Sequence, residues 1–315
     1  MKTLASPKVS IIVPNYNHAA FLSQRLDSIF NQTYKDFEVI LLDDASTDHS
    51  VQILEEYAVK YKDKVTHLVV NQINSGSPFK QWRKGIELAK GAYIWIAESD
   101  DYCETTFLEK LMAATLAYPN TTIGVCNLIK INEESSLLTS RTNFIDQYYL
   151  GKSIIVKEFT KGNYLWNASA VIFKKEASRV VDWMQVEQMK FCGDWLFWVM
   201  LLQAGNLLTI SDYLSYFRVH IKSVSSSSSA QIKYFSEGLE VIRWILDNCS
   251  LHLDERRSVC NRWLKQLQKS NLDKLRKREF EAAIKKLFPL SYPLTITENN
   301  VKKLLRRFRR RLLLQ

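Results

Sequence analysis

Cysteine is scarce and unpatterned in this chain. The five present, Cys103, Cys126, Cys192, Cys249 and Cys260, are odd in number and contain no CxxC pair. That excludes a zinc ribbon or a disulfide framework and fits a reducing compartment. Long apolar runs are also missing: no stretch approaches the ~18 residues of a membrane span. Met1 to Lys8 lacks the apolar core of a secretory signal, and Val9 to Val13 is too short to supply one. The expectation is a cytoplasmic protein. Glycine is absent from Pro14-Asn15-Tyr16-Asn17, the first polar segment after an apolar run, which argues against a glycine-rich phosphate loop. Acidic residues are absent from 301 to 315, which hold seven Lys or Arg out of a chain whose formal net charge is +10.

What is present is a sizeable apolar fraction, 46% of 315 residues, enough to bury one large domain or two. The stretch that organises it is Gly91-Ala92-Tyr93-Ile94-Trp95-Ile96-Ala97-Glu98-Ser99-Asp100-Asp101. The apolar part lacks alternation, is short and rich in β-branched and aromatic residues, and reads as a strand buried on both faces. It runs straight into three acids. Glu98 and Asp100 are two apart and can leave the same face of a strand end, where they repel each other unless a cation lies between them. A divalent ion carrying phosphates suits such a pair. Helix capping by an acid ahead of residues 104–118 is the plain alternative, but a cap needs one acid.

Strand and helix alternate four times over residues 8–96. Strands are expected at 8–13, 37–42, 65–70 and 93–96, and amphipathic helices follow the first three. This is the pattern of a mostly parallel sheet flanked by helices, an α/β fold of Rossmann-like type. Ligands bind such sheets beyond the carboxyl ends of the strands, and three of those ends carry Asn15-Tyr16, Asp43-Asp44 and Glu98-Ser99-Asp100-Asp101. After residue 123 the pattern weakens until a strand at 166–173, an apolar helix opening at Gly193-Asp194-Trp195, and short strands at 207–210 and 213–219. Six serines among residues 223–229 suggest a linker. The expected organisation is therefore a domain over 1–225, with a nucleotide half at 1–118 and an acceptor half at 119–225, followed by a helical region over 226–315.

These motifs in this order resemble the family 2 glycosyltransferases. The residues that carry the resemblance are Val9-Ser10-Ile11-Ile12-Val13-Pro14-Asn15-Tyr16-Asn17, then Asp43-Asp44-Ala45-Ser46-Thr47-Asp48, Glu98-Ser99-Asp100-Asp101, Gly193-Asp194 and Arg218-Val219-His220. The resemblance implies a GT-A fold with a helical C-terminal extension and an inverting transfer. The donor would be a nucleotide-diphospho-sugar, most simply a UDP-sugar, and the acceptor a glycan or lipid-linked hydroxyl in surface polysaccharide or glycoconjugate synthesis. Pro14, Asn15 and Tyr16 would border the base and Asp44 would accept a hydrogen bond from it. Glu98 matches the first acid of the family's DxD motif, although Glu replaces Asp. Asp100 matches the second, which with His220 would hold a divalent metal, Mn2+ or Mg2+. Asp194 matches the general base, with Gly193 where the family usually has Glu. Arg83, flanked by Trp82 and Lys84, is placed to meet diphosphate.

Plainer readings accompany four of these residues. Tyr16 also fits a core aromatic, Asp194 a helix-capping acid, His220 a structural histidine and Arg83 a solvated helix face. The tail at 301–315 has Val301, Leu304, Leu305, Phe308 and Leu312 on one helical stripe, the pattern of a helix lying on an anionic membrane. That would make the protein peripheral on the inner face of the cell membrane; a basic helix packed on the domain is the other reading. Nucleic acid is not an expected partner, because the tail interleaves only Phe308 among its basic residues. A nucleotidyltransferase on the same fold is the alternative enzyme class.

Overall fold

The computed structural model describes residues 9–220, 230–297 and 299. In chain order the first half contains β1 (Val9–Asn15), α1 (Ala19–Phe30), β2 (Phe37–Asp43), α2 (Ser50–Lys60), β3 (Val65–Val70), α3 (Pro78–Leu88) and β4 (Tyr93–Ile96). Then come β5 (Tyr102–Cys103), α4 (Phe107–Ala117), β6 (Thr121–Ile131), β7 (Leu137–Arg141), β8 (Gln147–Tyr149) and α5 (Gly151–Lys157). The remainder comprises β9 (Val171–Lys174), α6 (Trp183–Gln188), α7 (Gly193–Leu201), β10 (Asn206–Arg218), α8 (Ala230–Asn248), α9 (Leu253–Lys269) and α10 (Lys274–Leu287). Short 3-10 turns lie at 159–161, 168–170 and 175–180.

One sheet organises the strands in the order β3-β2-β1-β4-β9-β6-β10-β5, with β7 on β6 and β8 on β10. The run β3-β2-β1-β4 is parallel throughout, as the alternation of strand and helix requires. Every residue of β1, β2 and β4 is buried, which accounts for their mostly apolar character; Ser10 and Glu38, polar within β1 and β2, bond to each other at 2.7 Å. Beyond β4 the sheet is mixed. β9 runs antiparallel between β4 and β6, while β6 and β10 are parallel to each other. The two short strands expected at 207–210 and 213–219 are one strand, β10, whose register against β6 shifts between Thr209 and Tyr213. That irregularity, at exposed Ser211 and half-buried Asp212, explains why the pattern reads as broken.

The chain divides into two compact units. The first takes 1–154 and 165–227 and contains the sheet; the second takes 155–164 together with 228–315. Within the second unit the indole N–H of Trp263 on α9 donates to the Thr160 carbonyl at 3.3 Å. Tyr234 of α8 stacks on the same indole with ring centroids 5.6 Å apart. Among the described residues no helix is long and apolar enough to cross a membrane. The serine-rich segment at 223–229 and the basic stripe at 301–315 lie outside the described residues.

Candidate active site

Because β2, β1 and β4 are adjacent and parallel, their carboxyl ends reach one rim. Asn15 is in register with Asp43, and the Ala97 N–H donates to the Ile12 carbonyl at 2.8 Å, so the acidic loop starts beside the end of β1. The loops after β1 and β2 are tied together. Asn15 Nδ2 donates to Asp43 Oδ2 at 2.7 Å, the Asn17 N–H donates to Ser46 Oγ at 2.9 Å, and Asn17 Oδ1 accepts the Thr47 N–H at 2.7 Å. Asn17 and Ala45 pay for these turns with positive φ, 55° and 63°. Pro14 and Asn15 are buried at the rim, whereas the Tyr16 ring is 45% exposed and is no core aromatic.

Asp44 is buried and clasps the segment after β3. Its Oδ1 accepts from Asn71 Nδ2 at 2.7 Å, the Ser75 N–H at 2.9 Å and Gln81 Nε2 at 2.8 Å, and its Oδ2 from the Ser75 hydroxyl at 2.7 Å. The carboxylate therefore shapes the rim as well as facing it. Arg83 does not join this rim. On the exposed side of α3 its guanidinium pairs with Glu87 at 2.8 Å and Glu187 at 3.5 Å. The neighbouring Trp82 does reach the acidic loop, donating its indole N–H to Glu98 Oε1 at 2.9 Å.

Three acids close together cannot all be ionised cheaply. Burial and then the charges of Asp100 and Asp101 push the Glu98 carboxyl up to about 8. Burial raises Asp101 as well, reinforced by Asp100. On Asp100 burial also acts upward, but the hydrogen bond from His220 and the charges of His18 and His220 outweigh it, and the group lies below the usual carboxylate range. Asp100 is thus the acid of the loop held most firmly as a carboxylate.

Two buried arginines support the loop. Arg25 of α1 donates from Nε to the Glu98 carbonyl at 2.8 Å and from Nη2 to Ser169 Oγ at 2.7 Å, with Asp101 Oδ2 at 3.9 Å. Arg218, at the end of β10, donates from Nε to the Asp100 carbonyl at 2.8 Å. Asp101 is stapled from three sides, by Asn167 Nδ2 at 2.8 Å, Ser169 Oγ at 2.7 Å and the Arg218 N–H at 2.9 Å. Arg218 also brings the next turn of chain over Asp100, where His220 Nε2 lies 3.0 Å from Asp100 Oδ2. Neither Arg25 nor Asp101 was singled out from sequence. The signal for Arg25 was a charge at 25 within the apolar stripe of Leu22, Leu26 and Ile29.

His18 is the other residue that sequence reasoning missed. Its donor atom, one from Asp100 and one from His220 lie within 4.8 Å of one another, and these residues form a set that could hold a metal ion. The ring of His18 meets that of His220 edge-on, with centroids 5.4 Å apart. Two imidazoles and a carboxylate are chemically suited to a divalent transition ion, so the residues present fit the metal expected there. Asp194 sits in the first turn of α7, half buried, and accepts the Trp195 N–H at 2.7 Å. A side chain on Gly193 would meet the Phe79 ring at 2.4 Å, which accounts for glycine where the family usually has Glu.

The family model described as "Glycosyl transferase family 2" matches residues 10–179, more than half of the chain. The chain belongs to glycosyl transferase family 2. Its relatives include the poly(ribitol-phosphate) beta-glucosyltransferase of Bacillus spizizenii, 43% identical over 97 residues, which are 30% of this chain and 15% of that protein. A glycosyltransferase of Bacillus subtilis, EpsJ, whose name marks it as uncharacterized, is 27% identical over 195 residues, 60% of this chain and 54% of its own. The crystal structure of S. aureus TarS 1-349 in complex with UDP superposes with a TM-score of 0.67 at 19% identity, covering 91% of this chain and 83% of that fragment. That likeness establishes the GT-A-type fold, including the helical C-terminal region. The chain spans between 15% and 54% of the length of the two curated relatives.

Proposed function

We propose that this family 2 glycosyltransferase moves a sugar from a UDP-sugar to a hydroxyl of a glycan or lipid-linked acceptor, with inversion, in the assembly of a cell-surface polymer. The observation that carries the reading is the convergence on one rim of the β1, β2 and β4 ends with His220 set on Asp100. The relative named for poly(ribitol-phosphate) and the neighbour solved with UDP support the polymer and the nucleotide.

Asp100 and His220 would hold a divalent ion, Mn2+ or Mg2+, which when bound neutralises the charge that develops on a leaving diphosphate. The exposed Tyr16 ring offers a stacking face for the base, bordered by Pro14 and Asn15, and Asp44 accepts from a base N–H. Glu98, held by the Trp82 indole, would meet the ribose. Asp194 takes the proton of the acceptor hydroxyl as it attacks, a contribution of ~10²–10⁴-fold for a placed base. No carboxylate nucleophile is needed for inversion. Arg83, paired on the surface, is left to the α3 exterior. The seven basic residues at 301–315 supply the charge for contact with an anionic membrane face.

The test is a thermal-shift and calorimetric panel of UDP, GDP, UDP-glucose, UDP-N-acetylglucosamine and GDP-mannose, each with and without Mn2+. Metal-dependent binding of uridine nucleotides alone is expected. Equal binding of guanosine nucleotides would overturn the UDP reading, and binding unaffected by a chelator would overturn the role of Asp100 and His220.

A further inference from the structure

His18 belongs to none of the motifs through which the chain resembles its family, yet it stands at the acidic loop. It lies between the end of β1 and the start of α1, and its side chain makes no cap bond to that helix. Its Nδ1 is 2.8 Å from Ser99 Oγ, the serine between the two acids of the motif. The two buried arginines hold both walls of this corner: Arg25 grips the Glu98 carbonyl, and Arg218 grips the Asp100 carbonyl and leads into His220. Three donor groups from three separate segments, after β1, after β4 and after β10, thus arrive within 4.8 Å of one another.

We propose that His18 is a third protein ligand, making a His18–Asp100–His220 site that holds a divalent transition ion such as Co2+ or Mn2+ before any nucleotide binds. The reasons are chemical. A metal-bound imidazole is normally oriented by a hydrogen bond from its other nitrogen. With the proton on Nδ1, Ser99 Oγ at 2.8 Å is that partner and Nε2 is left to the ion. The 3.0 Å between His220 Nε2 and Asp100 Oδ2 is the spacing of adjacent ligands on an ion ~2.1 Å from each. A site of one carboxylate with phosphates and water suits Mg2+; two imidazoles shift the preference along the transition series, where nitrogen ligands bind more strongly. Rigidity adds to this, since the segments bearing the ligands are fixed by buried hydrogen bonds and little ordering remains to be done on binding. The proposal rests on the metal assignment within the functional reading above, and it differs in requiring no donor nucleotide.

The experiment uses the full chain stripped of metal, titrated with Mn2+ by electron paramagnetic resonance and by calorimetry in the absence of nucleotide, then with excess Mg2+ as competitor. Spin-echo spectra of the Mn2+ complex count the directly bound imidazole nitrogens. Wild type should bind Mn2+ alone, show two imidazole nitrogens and resist displacement by a hundredfold excess of Mg2+. His18→Asn keeps a polar group at the Nδ1 position, toward Ser99, and removes Nε2. It and His18→Ala should each lose at least the ~10–100-fold in Mn2+ affinity that weaker supporting contacts cost, and show one nitrogen. If His18→Asn binds Mn2+ as wild type does, or if the wild-type spectrum shows a single nitrogen, His18 only orients Ser99 and the proposal fails. The wild-type nitrogen count decides the matter even where a variant does not fold. Titration with UDP in the presence of Mn2+ separates the two readings. UDP bound equally by wild type and His18→Asn, with no Mn2+ bound in its absence, sinks this proposal and leaves the transferase reading standing. Mn2+ bound by the three residues with no uridine nucleotide bound at all does the reverse.

Discussion

Of the three acids after β4, Asp101 makes the most contacts with the scaffold, although the sequence marks it no differently from Asp100. It is fully buried, accepts three hydrogen bonds and faces the buried Arg25 guanidinium. Asp101→Asn keeps the size but removes the charge opposite Arg25, and its amide nitrogen confronts donors where an oxygen accepted. Removing one partner of a buried pair costs about 3–5 kcal/mol, so the urea midpoint should fall correspondingly at unchanged slope. A loss below ~1 kcal/mol would mean that Arg25 is balanced elsewhere. Asp44 is different because it holds the segment after β3 and, in the proposed reading, also meets the base. Asp44→Ala should raise the donor KM more than it lowers kcat, the signature of a contact made equally in ground and transition states. The same variant should lose amide protection across 71–77, since that segment hangs on the carboxylate. Unchanged exchange there, with a raised KM, would reduce Asp44 to a base contact alone. Both acids were visible as residues in the sequence. Their partners were not, because Asn71, Ser75, Asn167 and Ser169 are small polar groups whose role exists only once distant segments meet.

At the scale of elements, the parallel strands and the stretches that form β9 and β10 were readable, and β6 was not. β1, β2 and β4 are buried on both faces and so spell apolar runs interrupted only by Ser10 and Glu38 before their polar ends. β6 is almost as buried over Thr121–Ile131, but it carries threonines, a glycine and Asn127. Those departures have structural work. A Cβ on Gly124 would strike the Thr115 hydroxyl at 2.5 Å, and Asn127 ties down the loop at Thr142 and Phe144 with three hydrogen bonds and donates a fourth to the Ser211 carbonyl of β10. Polar residues spent on holding neighbouring loops erase the hydrophobic pattern that would have announced the strand. The first turn of α7 carries a comparable compromise, glycine at 193 so that the helix can approach Phe79, with Asp194 beside it. Asp194→Asn should preserve the helix and leave UDP and Mn2+ affinity unchanged, while turnover falls by ~10²–10⁴. A fall of less than tenfold, measured with saturating donor, would leave Asp194 as a first-turn acid favoured by the helix dipole.

For the whole molecule, serine-rich composition suggested a cut near residue 225; the compact units divide at 227 and 228 as well, but they also give 155–164 to the second unit. Residues 155–164 fold with the C-terminal helices although they precede β9, α6, α7 and β10 of the sheet-bearing unit in sequence. Composition could not reveal this, because ten residues of short helix and turn carry no periodicity of their own. Within that unit Phe159 and Trp263 are fully buried, the Trp263 indole donates to Thr160, and Gln266 Nε2 donates to the Lys161 carbonyl at 3.3 Å. A chain ending at 225 therefore keeps 155–164 and loses the helices that pack on it. Exposing a fully buried Phe forfeits about 1.5–3 kcal/mol, and Ile155 in the same segment adds a similar loss. Against a total stability of ~5–15 kcal/mol, the truncated chain should be poorly soluble, bind a hydrophobic dye and unfold at a lower temperature than the full chain. Replacing Phe159 and Ile155 by polar residues in the truncated chain should recover part of the solubility. A fragment of 1–225 that is soluble and unfolds cooperatively at the wild-type temperature would show that 155–164 needs no helical partner, and that the cut suggested by composition is a true domain boundary.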